Sequence, residues 1–270
     1  MSDIFAKPES ESPALSEQLV SDIEQASLRA WPALEEFELD NWRLRFSRGF
    51  TKRANSVSIT SANDEAISQA VLLDRIKKCE QHYHDRKLPT IFRLLQTTVP
   101  ATIDQVLASR NYRNCDASLV LVTELDSKAH ASTFINYVDM QAWLTAYRHI
   151  SDSTRQAENL HRLILKGIGA ELLFALAERH HQSVACALGV LDGPLLGLFD
   201  IATYPDFRKQ GFARALVQHL CALGLRSGAK YAYLQVQEDN FAAIALYASL
   251  GFSPAYRYGY RIEDEFDTIS

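Results

Sequence analysis

The sequence of 270 residues lacks a long apolar segment. A helix needs about 20 consecutive apolar residues to cross a bilayer, and no stretch approaches that length. The first residues, MSDIFAKPESESPAL, are polar and acidic, whereas a secretory signal peptide combines a basic end with an apolar run. We therefore expect a loose leader over residues 1–15, no membrane partner and a cytoplasmic location.

Cysteine is also scarce. The four cysteines, Cys79, Cys115, Cys186 and Cys221, form no C-x-x-C pair and lie within apolar periodic segments. They are predicted to be buried thiols in a reducing compartment, so we expect neither disulfides nor a metal site.

Positive charge is not in excess. The net charge is −5, which argues against the basic face of a nucleic-acid-binding protein. An acidic balance is compatible with cationic substrates such as amines, although many soluble proteins share it. The length and a hydrophobic fraction of 47% allow two small domains, each with a buried core.

Helix-type and strand-type periodicities alternate along the chain and predict an α/β fold. The patterns indicate a helix over residues 16–31, a strand over 37–47 and a helix over 64–84. The pair Asp192-Gly193 between two apolar runs predicts a hairpin.

The two halves of the chain share an order of elements. The strand PTIFRLL is followed by a short helix and a strand, and the strand YAYLQV is followed by the same two elements. This repetition predicts a duplicated unit. The predicted limits are 1–15 for the leader, 16–125 for the first domain, 126–141 for a connector, 142–262 for the second domain and 263–270 for an acidic tail.

The segment DIATYPDFRKQGFARALVQHL indicates an anion site. A strand ends at Thr203, a loop follows, and a helix begins near Ala213. The first N–H groups of a helix have no intrahelical partners, and the helix dipole places positive charge there. Gly211 and Ala213 allow a pyrophosphate to approach the backbone closely. Three side chains add positive charge: Arg208, Lys209 and Arg214. Taken alone, the pattern also fits an ordinary basic loop before a helix.

A second segment, QVQEDNFAAIALYASLGF, follows at a suitable distance. Asn240 opens a predicted helix, and Gly251 is expected to cap its C-terminus. Ala243, Tyr247 and Leu250 lie on one face, since they are spaced by four and three residues. Asn240 can therefore cap the helix or contact a ligand, and Tyr247 projects toward the same cleft.

Together these segments resemble the two signatures of the GCN5-related N-acetyltransferase (GNAT) superfamily. The first signature is Arg208-x-x-Gly211-x-Ala213, and the second is Asn240-x-x-Ala243-x-x-Leu246-Tyr247-x-x-x-Gly251-Phe252. The resemblance covers 172–262 well and the residues from Ala142 loosely. The run WRLR…GFTKRANSV resembles a subgroup of tandem proteins with a degenerate first copy.

The resemblance implies two GNAT-like domains in tandem, each with a central, mostly antiparallel sheet flanked by helices. It implies acetyl-CoA as co-substrate, no metal, and transfer of an acetyl group to a primary amine of a small molecule or protein. The implied CoA-binding residues are Ile201, Ala202, Thr203, Arg208, Lys209, Gln210, Gly211, Phe212, Ala213, Arg214, Asn240, Ala243 and Tyr247.

Individual roles also follow from the resemblance. The strand end at residues 201–203 would pair with the pantetheine arm, the loop before Ala213 would hold the pyrophosphate, and Tyr247 would protonate the departing thiolate. Transfer of another acyl group and a non-catalytic acyl-CoA sensor remain as alternatives. The acceptor amine and the oligomeric state are not readable from the sequence.

The general base is left open. An amine such as lysine has a pKa near 10.4, so it must lose a proton before it attacks a thioester. Many family members have a glutamate on the strand before the loop, where this chain reads GLFDIAT. Asp200 is the only carboxylate there, and strict alternation from Thr203 points it to the opposite face. Glu178, Glu238 and a water chain are the other candidates.

The first half lacks the phosphate-binding residues. SITSANDE occupies the position of the basic loop, and Pro100 and Leu107 stand where the second half has Asn240 and Tyr247. We therefore expect the first half to bind no CoA and instead to cover the second domain or to shape its amine pocket.

Overall fold

The structure is a computed structural model that describes residues 15–59, 68–96, 99–126 and 135–264. These residues form two compact units. The first unit contains residues 33–119 and 256–264, and the second contains residues 15–32 and 120–255. The domain limits predicted from the sequence follow chain order, whereas each unit draws on both halves of the chain; those limits stay a prediction.

Seven helices and eleven strands are described. The helices are α1 (Glu17–Arg29), α2 (Gln69–His84), α3 (Ala101–Ser109), α4 (Met140–Ile150), α5 (Arg155–Gly167), α6 (Phe212–Arg226) and α7 (Phe241–Ala248). The strands are β1 (Glu35–Leu39), β2 (Trp42–Phe46), β3 (Val57–Ile59), β4 (Ile91–Leu95), β5 (Tyr112–Glu124), β6 (Ile135–Tyr137), β7 (Glu171–Arg179), β8 (Gln182–Asp192), β9 (Leu195–Thr203), β10 (Tyr231–Gln237) and β11 (Ser253–Glu263).

The first unit is built on the strand order β1-β2-β3-β4-β11, with the first part of β5 beside β11. Strands β3 and β4 are parallel and α2 connects them, whereas the pairs β1–β2, β2–β3 and β4–β11 are antiparallel. Trp42 and Phe92 of the sheet, Ile76 of α2 and Leu107 of α3 are all fully buried. Tyr83 of α2 donates a hydrogen bond to the Arg45 carbonyl of β2 at 3.0 Å.

The second unit has the strand order β10-β9-β8-β7-β6, with the end of β5 beside β10. β9 and β10 are parallel and α6 connects them, while the pairs from β9 to β6 are antiparallel. The side chain of Tyr233 in β10 packs closely against Gly197 in β9. A Cβ atom at Gly197 would lie only 2.7 Å from Tyr233 Oη. The mixed α/β fold with helix-flanked, largely antiparallel sheets is therefore confirmed.

Most predicted elements are present, but one strand prediction was wrong. The run 37–47 was predicted as a single strand, whereas Asp40 and Asn41 form a turn between β1 and β2. Both residues have positive φ, 49° and 67°, which Asp and Asn tolerate better than most residues. The helix over 16–31 is confirmed as α1, whose N-terminus is capped by Ser16 Oγ.

Several predictions lie partly outside the described residues. These are the leader over 1–15, the start of the helix over 64–84, the SITSANDE segment, the connector over 126–141 and the acidic tail over 263–270. The described end of the connector contains a short strand, β6, that the sequence analysis missed. No helix in the described part of the chain has the length and apolar character needed to cross a membrane.

The cysteine thiols are free, and three of the four are buried. Burial raises the pKa of Cys79 and of Cys221 to about 12, and it raises the pKa of Cys186 further. The prediction was wrong for Cys115, which is only half-buried, because it lies in β5 among half-buried positions.

Candidate active site

The parallel strands β9 and β10 separate toward their carboxyl ends. Their pairing runs from Leu195 with Tyr231 to Leu198 with Leu234, but β9 continues to Thr203. On its other edge β9 stays paired with β8 as far as Thr203. Within the described strands, the last part of β9 therefore has one edge without a partner strand, and an extended ligand can hydrogen-bond along such an edge.

A β-bulge lies in this part of β9. Ala202 pairs with Cys186, but Phe199 pairs with Leu188, so β9 has one residue more than β8 between the two pairs. Asp200 at the bulge has φ of 49°. A bulge redirects side chains, and the assumption of strict alternation up to Asp200 was therefore wrong.

The Asp200 carboxylate faces helix α5. Its Oδ2 atom lies 3.1 Å from Nε2 of His161, whose side chain is only 2% exposed. The imidazole is packed among aromatic rings, with centroids 5.2 Å from Trp31, 5.1 Å from Tyr147 and 5.7 Å from Trp143. The buried pair joins the bulge to α5, and Asp200 does not line the cleft described next.

A cleft of about 1190 Å³ lies where β9 ends and α6 begins. Gly211 is the N-cap of α6 with φ of 87°, and a Cβ atom there would meet nothing within 4 Å. Because glycine has no side chain to accept the first N–H groups of the helix, those groups are presented to the cleft. The lining residues are 149–152, 201–205, 207–209, 211–214, Asn240, Ala242, Ala243 and Leu246.

The basic loop is tied to its surroundings by hydrogen bonds. Arg208 Nε donates to the Thr203 carbonyl at 3.3 Å, and Arg214 Nη2 donates to Ser249 Oγ at 2.7 Å. Gln210 is directed elsewhere, since its amide nitrogen donates to the Asp206 carbonyl and its amide oxygen accepts from Arg179. The cleft is thus bordered by guanidinium groups that retain donors for an anion.

Helix α7 forms another wall of the cleft. Asn240 caps it, with Oδ1 accepting from the Ala243 N–H at 3.1 Å, and both residues line the cleft. Tyr247, one turn beyond Ala243, is 7% exposed and packs its ring edge-on to Phe252. Burial raises the pKa of Tyr247 to about 12. Gly251 ends the helix with φ of 89°, as its predicted capping role requires.

The structure brings together all the predicted CoA-binding residues except Gln210 and Tyr247 as lining of one cleft. Sequence reasoning missed a further wall, formed by His149 in the last turn of α4 and by Ser151 and Asp152 in the turn that follows. The signal for this turn was present: Thr154 caps α5 by accepting from the Ala157 N–H, and Ser-Asp-Ser-Thr before a helix is a capping pattern.

The corresponding positions of the first unit have different chemistry. Pro100 is the N-cap residue of α3, and Leu107 is fully buried. The loop after β3 lies outside the described residues.

Comparison with known proteins identifies the family. The family described as the probable histone acetyltransferase Rv0428c C-terminal matches residues 19–261. The chain belongs to this family. The predicted membership of the GNAT superfamily is confirmed, and the chain is an acyl-CoA-dependent N-acyltransferase.

Individual relatives of this GNAT chain agree with that assignment. It is 25% identical over 252 residues to the uncharacterized N-acetyltransferase YobR of Bacillus subtilis. This match covers 90% of this chain and 98% of YobR. It is 48% identical over 58 residues to the ribosomal protein bS18-alanine N-acetyltransferase of Escherichia coli. That match covers only 22% of this chain and 39% of that enzyme. A GCN5-related N-acetyltransferase from Kribbella flavida has the same fold, with a TM-score of 0.68 at 13% identity over 94% of this chain and 97% of that one.

Proposed function

We propose that the second unit transfers an acetyl group from acetyl-CoA to a primary amine of a small molecule or a protein. The observation that carries the proposal is the last part of β9, which on one edge has no partner strand among the described residues. This edge leads directly into the cleft at the N-terminus of α6. An edge of this kind suits the amide groups of a pantetheine arm, and a helix N-terminus suits a pyrophosphate.

CoA is bound in two parts. The backbone of residues 201–203 pairs with the pantetheine arm, and Asn240 borders the same arm from α7. The N–H groups that follow Gly211 hold the pyrophosphate, while Arg208, Lys209 and Arg214 neutralise its charge.

The neutral amine attacks the thioester carbon, and negative charge develops on the carbonyl oxygen. N–H groups at the open end of β9 act as the donors for this oxyanion. The C–S bond then breaks, and Tyr247 gives its proton to the CoA thiolate. Since burial raises the pKa of Tyr247 to about 12, the phenol is protonated across the neutral range and retains the proton that it must donate.

The test is calorimetric titration of the full chain with acetyl-CoA. One site per chain in the micromolar range is expected, because only the second unit is proposed to bind CoA. Absence of binding would remove the proposal, and two sites would remove the idea that the first unit binds none.

The substrates are then screened by thiol release. The acceptors are spermidine, lysine methyl ester and an alanine-initiated peptide; the peptide is included because the Escherichia coli relative acetylates the alanine of bS18. Comparison of acetyl-CoA with longer acyl-CoA donors tests the preference for acetyl. Faster transfer of a longer acyl group would contradict the acetyl assignment.

A further inference from the structure

The proposed reaction needs a group that accepts a proton from the ammonium form of the amine. The carboxylates considered from the sequence do not line the cleft. Asp200 is paired with His161, and Glu178 accepts a hydrogen bond from Asn136 Nδ2 at 3.0 Å. Another residue that lines the cleft must therefore accept this proton.

Two lining side chains carry a group that can act as a base: the imidazole of His149 and the carboxylate of Asp152. His149 lies in the last turn of α4 and Asp152 in the turn that follows it, on the side of the cleft that the CoA-binding signatures do not form. The other ionisable side chains around His149 in the cleft are Tyr204, Arg208 and Lys209 from the segment after β9, and Arg214 from α6. These four side chains offer hydroxyl, guanidinium and ammonium groups, which can donate hydrogen bonds.

The imidazole of His149 is held beside the end of β9. Its ring stacks on Tyr204, with centroids 5.3 Å apart and an interplanar angle of 21°. Tyr204 directly follows the last residue of β9, and its N–H donates to the Val184 carbonyl at 2.9 Å. The stack therefore fixes the imidazole next to the strand end that is proposed to bind the thioester. His149 is also exposed, so it can pass a proton on to solvent.

We propose that the acceptor amine enters the cleft beside the α4–α5 turn and that His149 accepts its proton, an inference that rests on the acetyl-transfer function proposed above. A ring nitrogen of His149 takes one proton from the ammonium group and releases it to water. The amine nitrogen then forms a bond to the acetyl carbon as the C–S bond breaks. A second amine proton reaches the CoA sulfur by way of Tyr247, and the third stays on the amide.

The experiment compares the pH dependence of kcat/KM for wild type and His149→Gln in the full chain. The probe is whichever of spermidine, lysine methyl ester and the alanine-initiated peptide the wild type acetylates fastest. We expect His149→Gln to lower kcat/KM about 100-fold at neutral pH. The loss should shrink as the pH approaches the solution pKa of the acceptor amine, which is about 10 for an alkylamine and about 8 for the α-amino group of the peptide. Affinity for acetyl-CoA, measured by calorimetry, should not change.

Four further variants sharpen the result. His181→Asn is the matched control, because His181 is an exposed histidine with φ of 63°, a conformation that asparagine tolerates, outside the cleft. It should behave like the wild type. Asp152→Asn and Asp200→Asn should retain the wild-type pH profile. Free imidazole should restore part of the activity of His149→Ala at neutral pH.

The outcomes separate this inference from the proposed function. An active wild type with an unchanged pH profile in His149→Gln would overturn the role of His149 alone. Loss of the profile in Asp152→Asn or Asp200→Asn instead would assign the proton to that carboxylate. A wild type that binds acetyl-CoA but acetylates none of the amines would overturn the proposed function, and this inference with it.

Discussion

Each unit contains a parallel strand pair, β3–β4 in the first and β9–β10 in the second. Each pair is joined by one helix, α2 or α6, and each is followed by a short helix, α3 or α7. The order of elements has been kept, but the residues that would serve a ligand differ. Pro100 stands at the N-cap of α3, whereas Asn240 caps α7 through its side chain.

The interiors of the two units differ as well. In the first unit Arg261 forms a buried bidentate pair with Asp104, and the guanidinium of Arg93 lies 4.1 Å from the ring centroid of Tyr258. The second unit contains the cleft of about 1190 Å³ at the end of β9. The two units thus share an order of elements but differ in the side chains at corresponding positions, because a fold alone does not determine a site.

The largest expected effect is a loss of stability of the first unit. Asp104→Asn leaves the buried Arg261 without its counter-charge, which should cost about 3–5 kcal/mol of the unit's stability. Amide hydrogen exchange in β4 should accelerate strongly. The control is Asp74→Asn, which removes an exposed pair with Lys78 and should change little. Unchanged exchange in Asp104→Asn would mean that the pair does not stabilise this unit.

The next effect concerns chemistry in the second unit. Tyr247→Phe removes the proposed proton donor and should lower turnover about 10²–10³-fold while leaving CoA binding nearly intact. Tyr137→Phe, at a tyrosine of β6 that is 48% exposed and has no role in the proposed reaction, is the control. Because the pKa of Tyr247 is raised to about 12, its ionisation should cause no loss of rate between pH 7 and 10. Normal turnover would exclude Tyr247 from the mechanism.

A smaller effect separates the two roles of Asn240. Asn240→Ala removes the cap of α7 and should cost about 1 kcal/mol of stability. Asn240→Ser keeps a capping oxygen, so its stability in urea unfolding should stay close to that of the wild type. Both variants should bind acetyl-CoA more weakly by calorimetry. Wild-type affinity in both would restrict Asn240 to a capping role.

The smallest effect compares the thiols of the two units. Cys186 and Cys221 are buried with raised pKa values, so they should react slowly with a thiol reagent at pH 8, whereas the half-buried Cys115 should react first. Peptide mass spectrometry after brief iodoacetamide treatment checks the order. Acetyl-CoA binding should survive this treatment, since no cysteine lines the cleft.

Local sequence signals predicted much of this molecule. Gly211 before a helix and Asp192-Gly193 between apolar runs depend on the conformations of those residues alone, and both elements are present. The turn at Asp40 and Asn41 carried a signal of the same kind that was overlooked.

Other features depend on contacts between distant segments. The bulge at Asp200 exists only relative to the partner strand β8, and the pairing of Asp200 with His161 requires α5 to pack nearby. The place of His149 in the cleft likewise depends on its stack with Tyr204, 55 residues later by the numbering. No periodicity within one segment encodes such relations.

The placement of α1 and β11 determines whether one unit can be produced without the other. Helix α1 belongs to the second unit, where Ser27 accepts a hydrogen bond from Gln235, while β11 completes the first unit by pairing with β4. A cut through the connector would therefore deprive each unit of an element encoded at the far end of the gene. Neither unit can therefore be produced complete as one continuous segment of the described chain.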